Sequence, residues 1–244
     1  MLSVFTIWAV LFTPTAVSQI IVVNDNHRAD HSRMSVDARQ LGTRLEVENR
    51  LNQFEIGSDV EGIVHHAKRG FDDHVDAINR IASYVYNGGR AVIFVLEATV
   101  TENLSELISD RFDVGVINYD KRVEGEMPSS FLEDSIFGPN DVLCSSWSHS
   151  YRNRSRTVSC GWASVMFVPL NDSAVLNTRS IDIDGEEKVK YVHLTHGIGE
   201  VVLVAGLQHR TAGAIANSFF SDTNYTLLGN QTATQHMMRW LLGQ

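Results

Sequence analysis

Short runs of apolar residues constrain the fold of this chain most strongly. Residues 20–23 and residues 91–96 contain no polar side chain. Residues 201–205, which follow Glu200, form a third apolar run. Successive side chains of a strand point to opposite faces of a sheet, so an unbroken apolar run indicates a strand that is buried on both faces. Such strands are typical of a parallel sheet covered by helices. The runs therefore predict an α/β domain with a mostly parallel sheet.

The middle of the chain shows the expected alternation of strand and helix. Residues 60–65 resemble a strand, Asp72 or Asp73 can cap a following helix, and residues 87–89, Asn-Gly-Gly, can end it. The apolar side chains at helical spacing are Val75, Ile78, Ala82 and Val85. With the run at 91–96, this order predicts a right-handed βαβ unit.

Other segments are less regular. A short strand is expected at 45–47 or at 54–56, and residues 119–190 are expected to form a β-rich insertion within a single domain of residues 19–244. Near the end of the chain, Thr232 and Gln235 have the spacing of a capping box and predict a final helix.

The N-terminus is typical of a signal peptide. Residues 1–18 carry no charged side chain, and their apolar stretch is too short to span a bilayer. Ala16 and Ser18 are small residues at the spacing that signal peptidase requires, which predicts Gln19 as the mature N-terminus. The alternative is a buried first strand and helix of a cytosolic protein.

Cysteine and sequon usage agree with the first of these interpretations. The two cysteines, Cys144 and Cys160, are expected to form a disulfide in an oxidising compartment, although two free core thiols remain the alternative. Sequons for N-glycosylation begin at Asn103, Asn153, Asn171, Asn224 and Asn230. These features predict a glycoprotein in the endoplasmic reticulum lumen or a secreted one.

Charge and hydropathy limit the partners. The formal net charge of -9 disfavours a nucleic-acid partner, since binding to phosphates needs a basic surface. No second apolar stretch reaches the length of a transmembrane helix, so we expect no membrane span. We also expect that the chain binds protein partners in the secretory pathway.

Several short motifs point to a family. Residues 84–95 read YVYNGGRAVIFV and residues 197–208 read GIGEVVLVAGLQ, while VVNDN ends the first strand. This pattern resembles the class I glutamine amidotransferase-like domains that have lost amidotransferase chemistry, and among them it is most similar to the luminal domain of oligosaccharyltransferase 48 kDa subunits. The accessory domain of subtilisin-like membrane proteases in the secretory pathway is similarly close over the C-terminal pattern. The resemblance covers roughly residues 20–117 and 197–242.

The resemblance implies a flavodoxin-like or amidotransferase-like fold and a scaffold or binding function, in an oligosaccharyltransferase-like assembly for N-glycosylation. It implies no cofactor. An amidotransferase needs a nucleophilic cysteine between glycines on a tight turn, and neither cysteine has these neighbours. The turn after Leu96 reads Glu-Ala-Thr, without a cysteine or a serine.

Two other functions remain open. Asp25, His65, His66 and Glu97 follow the carboxyl ends of predicted strands and could bind a metal or act as acid and base in a hydrolase, although solvated histidines and a capping Asp25 are the simpler explanation. The other alternative is a secreted carbohydrate-binding protein. Its stacking face would comprise Trp147, Tyr151 and Trp162, which could instead pack on the disulfide.

Overall fold

A computed structural model describes residues 18–23, 31–48, 55–66, 71–95, 102–118, 123–124, 134–138, 146–149, 156–159, 161–162, 165–183, 185–205 and 230–244. The strands in these residues are β1 Gln19–Val23, β2 Arg44–Glu48, β3 Val60–His65, β4 Arg90–Val95, β5 Val114–Asn118, β6 Val123–Glu124, β7 Ser146–His149, β8 Arg156–Ser159, β9 Gly161–Trp162, β10 Val165–Pro169, β11 Val175–Ile183, β12 Glu186–His196 and β13 Gly199–Ala205. The α-helices are α1 Ser32–Gln40, α2 Phe71–Tyr86, α3 Glu102–Phe112 and α4 Asn230–Leu241.

One sheet of seven strands organises the domain, in the order β11-β12-β13-β4-β3-β1-β2. The five strands from β13 to β2 run parallel, whereas β12 is antiparallel to both of its neighbours. The prediction of an α/β fold is confirmed, with a mixed sheet. The chain adds β2 on one side of β1 and β3 on the other, so the topological switch point lies between β1 and β3.

The apolar runs occupy the centre of this sheet as predicted. Residues 20–23 of β1 are at most 3% exposed, and residues 91–95 of β4 and 201–205 of β13 are equally buried. The first alternative for the second strand is confirmed by β2. Strand β3 and helix α2 have nearly the predicted bounds, with α2 beginning at Phe71, before the two expected caps.

The helices cover opposite faces of the sheet. On β12, His196 contacts the ring of Phe112 from α3, while His193 contacts the ring of Trp240 from α4. Residues three apart in a strand point to opposite faces, so α3 and α4 lie on different sides. Tyr86 of α2 also contacts His196 and places α2 beside α3. On the other face, α1 joins α4 because Gln231 and Gln235 donate to a carboxylate oxygen of Asp37.

Helix α4 begins earlier than expected. Its first residue is Asn230, so Thr232 lies in the first turn rather than at the cap. Gln235, the other half of the predicted capping box, instead donates to Asp37 over 3.0 Å. The Thr232–Gln235 spacing therefore does not mark the start of α4.

The strands β11 and β12 belong to the main sheet. They form a hairpin and include residues 175–190, which the sequence assigned to the insertion. Before them, β10 pairs with β5, and two further short antiparallel pairs join β6 with β9 and β7 with β8. Among the described residues, no helix is long and apolar enough to cross a membrane.

Candidate functional site

The carboxyl ends of the parallel strands carry two of the four residues predicted as a catalytic cluster. His65 pairs in register with Ile93, whereas the ring of His66 contacts the ring of Phe94, which points to the other face. The two histidines are 3% and 2% exposed. Since they point to opposite faces of the sheet, one metal ion cannot bind both side chains.

The rest of that cluster, Asp25 and Glu97, lies outside the described residues, so the cluster as a whole stays a prediction. Among the residues that the structure describes, no group of three or more His, Cys, Asp or Glu side chains is arranged to hold a metal ion.

An aromatic row continues from His66 across the sheet. Phe94 contacts Phe137, and Phe137 contacts Tyr191, each with ring centroids 6.3 Å apart. Burial raises the pKa of Tyr191, whose hydroxyl accepts a hydrogen bond from the backbone N–H of Ile136. The row is therefore a packed interior that holds residues 134–138 on the sheet.

Lys190 is a buried ionisable residue at the carboxyl ends of the same strands. Arg179 of β11 pairs with Tyr191 and Ser180 pairs with Val189, so Lys190 is the extra residue of a β-bulge in β12. Its side chain is fully buried, and Nζ donates to the carbonyl oxygen of Val165 over 2.6 Å. Burial, and secondly the charge of Lys188, lowers the pKa of Lys190 to about 7.

The amino ends of the same strands are built differently, from the end of α2 and the turn between β12 and β13. Gly88 has φ +104°, and the N–H groups of Gly88 and Gly89 donate to the carbonyls of Val85 and Tyr84. This is a Schellman motif and confirms the predicted glycine C-cap.

The turn from β12 to β13 packs against that helix end. The N–H groups of Ile198 and Glu200 donate to the carbonyls of Tyr86 and Gly89. A Cβ on Gly199 would lie 2.1 Å from the carbonyl oxygen of Val85, so only glycine permits this approach. The two motifs that carried the family resemblance thus meet at one place.

An open groove lies along these amino ends, which we call the amino-edge groove. It comprises two adjoining clefts of about 500 and 690 Å3 that share Val60, Tyr84, Asn87 and Gly89. The hydroxyl of Tyr84 donates to the carbonyl of Val60 over 3.2 Å, and burial raises the pKa of Tyr84 to about 12. The charged side chains that line the groove are Glu61, Arg80, Arg90 and Glu200.

A polar network supports the floor of the groove. Arg90 lies 3.8 Å from Glu200, and Glu200 lies 2.8 Å from Nε2 of His193. Arg90 also donates to the carbonyl of Trp240 and stacks over its ring, which ties α4 to the sheet. Burial lowers the pKa of His193 despite the opposing effect of the Glu200 carboxylate.

Two large apolar side chains are exposed beside the groove. Ile198 is 84% exposed at the tip of the turn, and Tyr86 is 60% exposed at the end of α2. We call this pair the apolar patch. Tyr86 also lines a cleft of about 430 Å3 between α2 and α3, together with Arg111 and His196.

Most of the remaining predicted site residues stay predictions. Cys144, Cys160, Tyr151, Asn153 and Asn224 lie outside the described residues. The backbones of Trp147, Trp162 and Asn230 belong to β7, β9 and α4, but their side chains are not described.

Two sequons can be described at their side chains. Asn103 is exposed in the first turn of α3. Asn171 is exposed and caps a 3₁₀ turn, because its Oδ1 accepts hydrogen bonds from the N–H and the hydroxyl of Ser173.

Comparisons with known proteins show the fold. No family model and no curated protein matches the sequence. Among solved structures, cytoplasmic protein STM3548 from Salmonella typhimurium matches with 13% identity and a TM-score of 0.52, over 91% of this chain and 98% of that one. A putative ThuA-like protein from Bacteroides uniformis matches with 10% identity and a TM-score of 0.50, over 94% and 93%.

A third match is a putative GMP synthase component from Thermoplasma acidophilum, with 12% identity and a TM-score of 0.43, over 93% of this chain and 98% of that one. The match to the ThuA-like protein, with its TM-score of 0.50, shows a ThuA-like fold, which agrees with the amidotransferase-like fold that the resemblance implied. The comparisons show no link to oligosaccharyltransferase.

The predicted location in the secretory pathway is wrong by these comparisons. The proteins that share the fold include one described as cytoplasmic, STM3548, and the ThuA-like protein is not described as luminal or secreted. Residues 1–17 of the predicted signal peptide lie outside the described residues. Ser18 directly precedes β1, and its carbonyl accepts hydrogen bonds from the N–H of Arg44 and the hydroxyl of Thr43. Cleavage before Gln19 would remove both bonds.

The amino-edge groove was not found from the sequence. Its network joins Arg90, His193, Glu200 and Trp240, which are far apart along the chain. The one available signal was the pair of glycine motifs, and these indicated packing rather than a binding surface.

Proposed function

We propose that this chain is a non-catalytic binding subunit, which holds a protein partner through the amino-edge groove and its apolar patch. The observation that carries the proposal is the exposure of Ile198, at 84%, next to Tyr86, at 60%. Neighbouring exposed apolar side chains of this size are typical of surfaces that bind other molecules.

The backbone that carries the apolar patch is held by hydrogen bonds, which favours binding. Ile198 stands on a turn whose N–H groups are bonded to the end of α2, and Gly199 allows the two backbones to touch. A preformed surface loses little conformational entropy when a partner binds.

The charges around the patch resemble the rim of an interface. Glu61, Arg90 and Glu200 line the groove together with Ile198. An apolar centre with a polar rim is the usual anatomy of a protein–protein interface. The mixed signs of the charges favour a protein surface of mixed charge over a nucleic acid.

The resemblance to oligosaccharyltransferase subunits supports the type of function. It suggests an amidotransferase-like domain that serves a larger assembly without performing its chemistry. We therefore propose the scaffold role, without a location in the secretory pathway.

Affinity purification with a matched pair of variants tests the proposal. Tagged wild-type chain, Ile198→Asp and Val36→Asp are compared by quantitative mass spectrometry from the source cells. Val36 is 50% exposed on α1 and provides a control for an added surface charge. We expect a defined protein that wild type and Val36→Asp retain and that Ile198→Asp loses at least about tenfold, as for a central apolar contact.

The same proteins at the same levels in all three samples would contradict the proposal. Thermal unfolding of each variant separates loss of a partner from loss of the fold.

A further inference from the structure

The strand β2 is the outermost strand on one side of the main sheet, so half of its backbone N–H and C=O groups point away from the sheet. The N–H of Arg44 donates to the carbonyl of Ser18, so the backbone groups of Arg44 face the rest of the sheet. Alternate residues of a parallel strand face alternate sides, so the N–H and C=O of Leu45 and Val47 point outward. Among the described residues no further strand pairs with this edge.

The side chains of β2 alternate in the same register. Arg44 and Glu46 share one face, and their side chains are 59% and 51% exposed. Leu45 and Val47 share the other face and pack partly against the core. A positive and a negative charge therefore stand two residues apart on one face of an outer strand.

We propose that two copies of this chain associate through β2, antiparallel, about a two-fold axis at Leu45. In this register Leu45 exchanges two backbone hydrogen bonds with Leu45 of the partner subunit. Arg44 then lies opposite Glu46 of the partner subunit, and the symmetry repeats this pair. Residues on either side of a hydrogen-bonded pair are non-hydrogen-bonded positions, where opposite side chains approach most closely.

Charge selects this register over its neighbour. A shift of two residues would move the axis to Glu46 and place two carboxylates opposite each other, which is unfavourable. The register at Leu45 contains two opposite-charge pairs and no like-charge pair.

The charged side chains are already ordered by the sheet. Arg44 donates to the side-chain carbonyl of Gln19 over 2.5 Å, and the amide of Gln19 donates to Glu46. Less side-chain entropy is therefore lost when the partner arrives.

The opposite edge of the sheet does not have this property. In β11, Arg179 and Asp182 are three residues apart, and the extra residue of the bulge at this point, Lys190, belongs to β12, so Arg179 and Asp182 point to opposite faces. No antiparallel two-fold register can place them opposite each other. Of the two outer strands of this sheet, β2 alone therefore offers such a register.

Sedimentation equilibrium of the full chain over a wide concentration range tests the proposal by charge exchange. We expect concentration-dependent dimers of the wild type. Arg44→Glu and Glu46→Arg should each weaken association about 30-fold, because each turns two attractive pairs into repulsive ones. The double variant Arg44→Glu/Glu46→Arg should restore association, and a mixture of the two single variants should form heterodimers.

Arg239→Glu is the control, since Arg239 is exposed on α4 and the charge change is the same. A monomeric wild type at every concentration overturns the proposal, as do single variants that associate like wild type or a double variant that does not recover. Circular dichroism confirms the fold of each variant, and Glu46→Arg alone decides the outcome if Arg44→Glu does not fold.

Discussion

The two ends of the parallel strands differ in how deeply their polar side chains are buried. At the carboxyl ends, His65, His66 and Lys190 are buried, and the ring of Phe94 packs against His66. At the amino ends, Arg90 and Glu200 remain partly exposed around an open groove. Open α/β sheets usually bind ligands at the carboxyl ends. The described part of this sheet instead exposes Ile198 at the amino ends, where we propose that a partner binds. A shared fold does not by itself determine where a site lies.

The largest effect of a single change is expected at the carboxyl ends. Phe137→Ala removes a fully buried ring between Phe94 and Tyr191 and should lower the free energy of unfolding by about 4 kcal/mol. Urea denaturation measures this loss. Leu170→Ala is the control, because Leu170 is 61% exposed and its truncation should cost less than about 0.5 kcal/mol. Equal losses in the two variants would mean that the aromatic row does not hold the sheet.

A backbone change should have almost as large an effect at the amino ends. Gly199→Ala places a Cβ 2.1 Å and 2.3 Å from two backbone oxygens, which cannot move without separating α2 from β13. We expect a loss of about 3 kcal/mol. In Gly115→Ala the new Cβ is 3.5 Å from its nearest neighbour, so only a small change is expected. A Gly199→Ala protein as stable as wild type would show that the helix end and the turn are loosely joined.

Lys190 should make stability depend on pH. Its pKa is about 7 in the folded chain and near 10.5 when unfolded, so between these values the unfolded state binds more protons. The free energy of unfolding should therefore rise with pH across this window, with a slope of up to about 1.4 kcal/mol per pH unit from this group. Between pH 7.5 and 9, Lys190→Met should lose about 2 kcal/mol of that rise, as chemical denaturation at each pH would show. Parallel profiles for the two proteins would contradict a neutral, buried amine.

The smallest effect is expected for the ion pair at the amino ends. Arg90 and Glu200 are 33% and 29% exposed and 3.8 Å apart, so solvent screens their attraction. A double-mutant cycle with Arg90→Met and Glu200→Gln should give a coupling of about 0.5 to 1 kcal/mol, smaller in high salt. A coupling of several kcal/mol would place the pair in a drier environment than the groove provides.

The sequence predicted the centre of the fold because its strands need no distant information. Residues 20–23 and 91–95 are apolar throughout, and a buried parallel strand is the simplest structure for such runs. The glycines at 88 and 89 ended α2 for a local reason as well. The hairpin of β11 and β12 was harder to recognise, since Asn177, Ser180 and Asp182 make its outer strand polar.

The candidate site depends on contacts that a linear reading does not reveal. Lys190 faces the interior because of a β-bulge, and a bulge follows from pairing between strands rather than from residue type. His193 and Trp240 meet only after α4 packs on the sheet. The same limit explains why adjacent histidines at 65 and 66 suggested one site, although the strand directs them to opposite faces.

The position of β13 also has a consequence for how the chain reaches its native state. It pairs with β4, with Glu200 beside Arg90, although 110 residues separate them in the sequence. The strands β12 and β11 can join the main sheet only through β13. Closing so long a loop is slow, so the sheet remains open at β4 until the last quarter of the chain has been synthesised. During synthesis the exposed edge of β4 is therefore the part of the nascent protein most in need of protection from aggregation.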